Sequence, residues 1–232
     1  MRQLLPVPLP DVEVADVYGG PRPAPEGRPW VMANVVASVD GSAVLGGRTA
    51  GLSSEADRHL FHLLRSLADV VLVGANTVRV EGYGPARGAG GPPIAVVSRS
   101  LELDWDSRLF TEAGAPTIVV TCTAADAARR RRAEEAGEVI VAGEDHVEMD
   151  RAVAELGRRG VAVVLCEGGP CLLGEVVAAG HLDELCTTVA PLAVGGTGPR
   201  VAMGAAGETP VPLRLVSALE EHDHLFLRYL RG

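Results

Sequence analysis

Residues 161–179 of the chain read VAVVLCEGGPCLLGEVVAA. The run Val161–Cys166 is apolar throughout, which is typical of a strand that is buried on both faces of a sheet. A polar turn with two glycines follows at 167–170, and the apolar run Cys171–Ala179 predicts a helix. A strand, a tight turn and a helix in this order indicate an α/β fold with a ligand site at the carboxyl end of the strand.

The same alternation extends over most of the chain. Strands are predicted at Trp30–Ser38, Val70–Gly74, Ile94–Val97, Thr117–Thr121, Val139–Ala142 and Glu184–Ala190. Helices are predicted from Ser53 or Ser54, with Ser54 and Asp57 as a capping box, and at Asn76–Val80, Ala124–Ala136 and Met149–Arg159. Such repeated strand–helix units favour a mostly parallel twisted sheet.

The two ends of the chain differ from this pattern. Leu213–Leu219 and Leu225–Leu230 are strand-like runs joined by a polar tip, which predicts an antiparallel hairpin that closes one edge of the sheet. Residues 1–28 are rich in proline and are expected to form an irregular N-terminal arm. Residues 29–232 are therefore expected to form one domain.

Composition excludes several functional classes. The formal net charge is −9 and the 21 basic residues are all arginine, so a nucleic-acid partner is not expected and no lysine can form a Schiff base. The sequence has no Cys-x-x-Cys pair and no close histidine–cysteine cluster, so no metal site is expected. Long apolar spans are absent as well, so we expect no membrane association, four reduced cysteines and a cytoplasmic protein.

Polar residues stand at the carboxyl ends of four predicted strands. The strongest group is Glu167 with Gly168, Gly169 and Pro170, where a backbone turn and a helix N-terminus suit a pyrophosphate and a carboxylate suits a polar ring. A tight turn with a surface glutamate is the alternative. Thr77, after Val70–Gly74, could bond a phosphate or cofactor amide or simply cap a helix.

Two further groups follow other strands. Ser98, Arg99 and Ser100 suit a monoester phosphate such as the 2′-phosphate of NADP, although an ordinary polar turn has the same composition. Asn34, Ser38 and Asp40 run from a buried strand into a glycine-rich loop. Polar groups in an apolar strand need partners, so these are candidate substrate contacts, whereas Asp40-Gly41 could also be only a turn.

Several stretches, taken together and in order, resemble one enzyme family. They are ANVVASVDG at 33–41, LSSEADR at 52–58, LLR at 63–65, VLVGANT at 71–77, EGG at 167–169 and VAPLAVGG at 189–196. The pattern is similar to the reductase domain of the bifunctional riboflavin deaminase–reductase and covers roughly residues 29–230.

The resemblance implies a dihydrofolate-reductase-like three-layer fold, NADPH as hydride donor and a homodimer. The implied reaction converts the side chain of a phosphoribosylamino-pyrimidine, of the 5-amino-6-(5-phosphoribosylamino)uracil type, to ribitylamino. The sequence has no H-x-E that is combined with a P-C-x-x-C motif, as the zinc deaminases have, so reduction alone is expected. Two alternatives stay open: reduction of another pteridine-like substrate such as dihydrofolate, and a paralogue that binds NADPH with little catalysis.

The resemblance also implies roles for individual residues. Those matching the cofactor site are Val36, Thr77, Ser98, Arg99, Ser100, Gly168, Gly169, Pro170 and Leu172. Those expected at the substrate are Ser38, Asp40, Thr49, Arg65 and Arg87. Glu167, Glu81 and Asn34 are expected closest to the reacting groups, with Asn34 where the family often has lysine and Glu81 where it usually has aspartate.

Overall fold

The computed structural model describes residues 1–85, 91–204 and 210–232. Within these ranges, the strands are β1 (Arg2–Leu5), β2 (Trp30–Ser38), β3 (Val70–Gly74), β4 (Ile94–Val97), β5 (Ile118–Thr121), β6 (Glu138–Val141), β7 (Val163–Cys166), β8 (Glu184–Ala190), β9 (Leu213–Glu221) and β10 (His224–Arg231). The helices are α1 (Val14–Tyr18), α2 (Glu55–Ser66), α3 (Ala75–Glu81), α4 (Arg108–Thr111), α5 (Ala127–Ala136), α6 (Met149–Arg158) and α7 (Pro170–Ala178).

The strands form one twisted sheet in the order β1-β9-β10-β8-β2-β7-β3-β4-β5-β6. The strands from β8 to β6 run parallel to one another, and the prediction of a mostly parallel α/β sheet is confirmed. At its centre β2 lies between β7 and β8, so that Met32 pairs with both Leu165 and Glu184. The longest of the parallel strands therefore lies at the sheet centre, with β7 and β8 on either side.

The antiparallel C-terminal hairpin is also confirmed, but its place in the sheet differs from the prediction. Strands β9 and β10 pair along their length and turn at His222 and Asp223, which both have positive φ, as in a two-residue turn of type I′. The hairpin does not form the edge of the sheet. Strand β1 pairs outside β9, with Gln3 opposite Leu219.

The N-terminal residues are more regular than the expected irregular arm, because the arm contains β1 and α1. Tyr18 at the end of α1 is fully buried, and Arg22 donates two hydrogen bonds of 2.8 Å to the buried carboxylate of Glu184 on β8. These contacts join residues far apart in sequence. Proline content therefore gave a wrong expectation, since tertiary contacts order this segment.

Helices cover both faces of the sheet, which gives the expected three layers. Apolar side chains from the elements α1 to α5 pack with Met32 and Leu165 on one face, and those of α6 and α7 pack with Val31 and Val164 on the other. Helix α2 begins as predicted, because the Ser54 hydroxyl accepts from the Asp57 N–H at 3.1 Å.

This arrangement places the carboxyl ends of β2, β7 and β3 side by side. The strands are neighbours, and each is followed by one of the polar segments that the sequence singled out. The described part of the chain has no helix that is long and apolar enough to cross a bilayer. It also holds no group of three His, Cys, Asp or Glu residues that could bind a metal ion.

Candidate active site

A cavity of about 530 Å³ opens where these strand ends meet. Its volume lies within the range of small-molecule sites. Apolar side chains from β2, α2 and the loop after β2 form much of its wall. The polar and charged residues that line it are Asn34, Thr49, Ser53, Asp57, Arg58, Asn76, Thr77, Glu81, Tyr83 and Glu167. The structure therefore brings together five of the predicted site residues in this list, with Val36 and the turn at Gly168–Pro170 beside them.

Glu167 lies at the end of β7 and is held by three donors. Arg65 donates two hydrogen bonds of 2.7 Å, one from Nε to Oε1 and one from Nη2 to Oε2. The Tyr83 hydroxyl donates a third, of 2.6 Å, to Oε2. The Glu167 side chain is 2% exposed and that of Arg65 13% exposed, so the pair is largely shielded from water.

The neighbours of this pair complete a compact network. The Arg65 guanidinium carbon lies 4.3 Å from the centre of the Phe61 ring and 5.6 Å from that of Tyr83. Burial, and then the Glu167 charge, raise the pKa of the Tyr83 hydroxyl well above its usual range. Tyr83 thus remains a hydrogen-bond donor at neutral pH. Arg65 was expected at the substrate, and in this structure its charge is paired with Glu167.

Glu81 holds the glycine-rich loop that follows β2. Its Oε1 accepts a hydrogen bond of 3.0 Å from the Thr49 backbone N–H. Both residues line the cavity, so the prediction that they share a site agrees with their placement. The contact shows that Glu81 positions the loop that forms one wall.

The turn between β7 and α7 approaches α3 closely. Gly168 has φ +82°, and a Cβ added at Gly169 would lie 2.6 Å from Thr77 Oγ1. The Leu173 N–H donates to the Gly169 carbonyl at the start of α7. The backbone N–H groups that precede it have no partner within the helix, and a helix start of this kind can bind an anion. Leu172 was predicted at the cofactor, but its side chain is buried in the core under the sheet.

Strand β2 contributes Asn34 and Val36 to the cavity. Asn34 pairs in register with Cys186 of β8. Its Oδ1 is buried and accepts no hydrogen bond within the described residues. An oxygen in this state is costly unless a ligand donates to it, which fits the predicted place of Asn34 near a bound molecule.

Ser38 and Asp40, predicted at the substrate, instead hold two loops together. The Ser38 hydroxyl donates to Asp40 Oδ1 at 2.5 Å, and Asp40 accepts from the N–H groups of Val194 and Gly195 at 3.0 and 2.6 Å. These bonds, with that from Ser38 the strongest, lower the pKa of the exposed Asp40 carboxyl to about 2. Neither residue lines the cavity.

The segment predicted for the 2′-phosphate lies after β4, outside the cavity wall. The buried Ser98 hydroxyl accepts from the Leu101 N–H at 3.0 Å, so it stabilises its own turn. Arg99 and Ser100 are exposed at the surface. Arg87, predicted at the substrate, lies outside the described residues.

Several cavity residues were not predicted as functional, among them Asp57, Arg58, Phe61 and Tyr83. Asp57 was assigned only to the helix cap, yet its side chain also lines the cavity. Asp57 and Phe61 are four residues apart, which places them on one face of α2. The spacing of these two residues in the sequence could therefore have indicated that they share a surface. Tyr83 lies in a glycine-rich segment whose path the sequence pattern does not define.

Comparison with known proteins shows the same architecture elsewhere. The family model described as the RibD C-terminal domain matches residues 29–224. A protein of Aquifex aeolicus named 2,5-diamino-6-ribosylamino-4(3H)-pyrimidinone 5′-phosphate reductase is 32% identical over 189 residues, which cover 78% of this chain and 84% of that one.

Solved structures agree with this match. A pyrimidine reductase-like protein from Corynebacterium diphtheriae is 27% identical, with a TM-score of 0.77 over 88% of this chain and 92% of that one. Dihydrofolate reductase from Enterococcus faecalis has a TM-score of 0.52 at 14% identity, covering 88% of this chain and 96% of that one. The second likeness concerns the fold alone, which is therefore dihydrofolate-reductase-like.

Proposed function

Because the chain belongs to the family of the RibD C-terminal domain, we propose that it is an NADPH-dependent reductase of a phosphoribosylamino-pyrimidine in riboflavin biosynthesis. The product carries a ribitylamino side chain in place of the ribosylamino one. The observation that carries the proposal is the cavity itself, where the glycine turn after β7 meets Thr77, Glu81 and Glu167. A relative with this activity in its name spans most of the chain.

The residues beside the cavity fit a nicotinamide dinucleotide. The Gly168–Gly169 turn packs closely on Thr77. A side chain at Gly169 would not fit, because its Cβ would lie 2.6 Å from Thr77 Oγ1. The start of α7 offers free N–H groups to a pyrophosphate. When bound, NADPH supplies the hydride, and the chain supplies position, charge and exclusion of water. Gly168, Gly169, Pro170 and Thr77 would hold it, with Arg99 and Ser100 proposed for the 2′-phosphate.

The rest of the cavity suits a flat polar ring with an attached sugar. Val35, Val36, Val44 and Phe61 line it with apolar surface, which excludes water from the reacting carbon. Polar groups converge from several elements and fix the orientation of the ring. Because Glu167 already accepts three hydrogen bonds, we assign it with Arg65 and Tyr83 to positioning the substrate.

An NADPH-oxidation assay tests this function. We expect the absorbance of NADPH to fall only when the phosphorylated aminopyrimidine is present. Turnover of dihydrofolate but not of the pyrimidine would instead support a reductase of a pteridine-like substrate. Tight NADPH binding without turnover of either substrate would support a paralogue with little catalysis.

We further propose that the protein works as a homodimer. Leu225, Leu227 and Tyr229 of β10 pair in register with Val189, Thr187 and Leu185 of β8, and all six are only half-buried in the single chain. A second copy would cover such a surface. Light scattering at micromolar concentration should give twice the mass of one chain.

We propose that the protein is cytoplasmic, because its cysteines are unpaired. All four are free, and Cys122, Cys166 and Cys186 are buried. Free thiols are typical of a reducing compartment. Fractionation of the native cell, with a thiol-labelling assay, checks this proposal.

A further inference from the structure

Arg58 is the one cationic side chain, among the residues that the structure describes, that lines the cavity. Three carboxylates of the described residues line the same cavity, those of Asp57, Glu81 and Glu167. Such a wall repels an anionic group wherever no cation offsets the acids. The charge distribution therefore favours a bound phosphate beside Arg58 and disfavours it elsewhere in the cavity.

The guanidinium of Arg58 is also available to a ligand. Arg58 is exposed and makes no hydrogen bond or ion pair with any other residue that the structure describes. Arg65, further along α2, differs because it donates two hydrogen bonds to Glu167. A guanidinium presents five N–H donors in a planar fork that matches the oxygens of a phosphate. The fork of Arg58 can therefore bind a phosphate without first breaking another contact.

Two other anion-binding groups are already assigned to the cofactor. The start of α7 carries the backbone N–H groups that we propose for the pyrophosphate. Arg99, which we propose for the 2′-phosphate, follows β4 and lies outside the cavity wall. Neither group can hold a phosphate of the substrate while the cofactor is bound. Among the described residues, Arg58 is therefore the group best placed to do so.

Glu167 and Arg58 lie at different depths of the cavity. The Glu167 side chain is 2% exposed and precedes the glycine turn proposed for the cofactor. Arg58 is exposed near the start of α2, and Phe61, three residues later, lies on the same side of the helix and also lines the cavity. In the proposed reaction the phosphate is at the far end of the sugar chain from the reacting carbon. A substrate whose reacting carbon lies near the turn therefore extends its phosphate toward the solvent side of the cavity.

We propose that Arg58 binds the phosphate of the substrate and so selects phosphorylated over unphosphorylated ribosylamino-pyrimidines, an inference that rests on the proposed function. The bond is charge-assisted, with guanidinium N–H groups donating to phosphate oxygens. Because the phosphate is remote from the reacting carbon, this contact is made equally in the ground state and in the transition state. Its loss should therefore raise KM more than it lowers kcat.

The test compares kcat/KM for the phosphorylated ribosylamino-pyrimidine and for its dephosphorylated form. Arg58→Gln should lower the value for the phosphorylated form by about tenfold or more, mainly through KM, and change the value for the dephosphorylated form less than about threefold. Arg58→Lys keeps the charge without the planar fork and should recover part of the loss. Arg151→Gln removes an equal charge from an exposed position of α6 and should change neither value.

A binding measurement separates the phosphate of the substrate from the phosphates of the cofactor. By calorimetry, Arg58→Gln should bind the phosphorylated ribitylamino product at least about tenfold more weakly than the wild type does, and NADPH within about twofold of the wild-type affinity. Weaker binding of NADPH with an unchanged preference for the phosphorylated substrate would assign Arg58 to the cofactor and overturn the proposal.

Other results would overturn it as well. One is an Arg58→Gln variant that keeps the wild-type ratio of the two kcat/KM values, with or without loss of that ratio in Arg87→Gln. Another is an Arg58→Lys variant that recovers nothing, because charge would then not be what the residue contributes. These results leave the proposed function standing, since both pyrimidines are still reduced. Failure of the wild type to oxidise NADPH with either pyrimidine would instead remove the proposed function, and this inference with it.

Discussion

Arg65 and Glu167, which are 102 residues apart in sequence, join α2 to the end of β7 through two parallel hydrogen bonds of 2.7 Å each. Bidentate geometry and burial make such a pair stronger than a surface ion pair. They also make it costly to break, because the remaining charge stays buried. The wall of the cavity thus depends on both partners.

Glu167→Gln should therefore reduce both stability and activity. We expect the free energy of unfolding to fall by about 3 kcal/mol, since an unpaired guanidinium remains between two rings, and kcat/KM to fall at least about tenfold. Urea unfolding and steady-state kinetics measure the two effects. Glu112→Gln, which breaks the exposed Arg108–Glu112 pair, is the matched control and should cost under about 0.5 kcal/mol. Similar losses in both variants would contradict the assigned role.

Gly169→Ala should weaken NADPH binding by about tenfold or more, because the new methyl group would lie 2.6 Å from Thr77 Oγ1 and displace the turn. Fluorescence titration with NADPH gives the affinity. Gly20→Ala is the control, since no atom lies within 4 Å of its added carbon. With Thr77→Ala the clashing oxygen is gone, so Gly169→Ala should weaken NADPH binding less in the Thr77→Ala background than in the wild type. An equal loss in both backgrounds would show that the contact is not the cause.

Glu81 should act through the Thr49 backbone. Glu81→Ala removes the acceptor of a 3.0 Å hydrogen bond, so the Thr49 amide should exchange with solvent about tenfold faster and the KM for substrate should rise. Glu81→Gln retains a carbonyl oxygen and should resemble the wild type in exchange at Thr49. Hydrogen exchange with mass spectrometry makes the comparison. The two variants behaving alike at Thr49 would rule out this positioning role.

Asp40 should titrate with a pKa of about 2, compared with its ordinary value of 3.8. Because the folded-state pKa is lowered, its contribution to stability is present above the ordinary value and is lost as the pH falls toward 2. The carboxyl carbon signal in an NMR titration gives the midpoint. Ser38→Ala removes the strongest hydrogen bond and should raise the pKa toward the ordinary value. A wild-type midpoint near 3.8 would contradict the loop contact.

Local patterns in the sequence were sufficient for much of the fold. The apolar run that contains β7 and the serine cap of α2 are set by neighbouring residues, and both were predicted. The pairing of β1 with β9 and the Arg22–Glu184 contact depend on residues distant in sequence. No local pattern specifies them, so the proline-rich arm was misjudged.

In the site, too, some features could be predicted from local sequence and others could not. Thr77 and Gly169 follow strands whose ends the pattern defines, and their convergence was expected from the topology of a parallel sheet. The engagement of Arg65 by Glu167 was not foreseeable, because each residue taken alone suggested a contact with the substrate. Ser38 and Asp40 lie outside the cavity wall for a related reason. Short polar side chains after a strand stabilise a turn as readily as they bind a ligand.

The proposed function depends on hydride transfer from NADPH to the sugar carbon attached to the pyrimidine. A single turnover with NADPH carrying deuterium at C4 of the nicotinamide, prepared separately with each of the two stereochemical labels, tests it most directly by mass spectrometry of the product. We expect a ribitylamino product that gains one deuterium at C1′ of the side chain from one of the two labelled forms. A product without deuterium from either form, or no ribitylamino product at all, would contradict it.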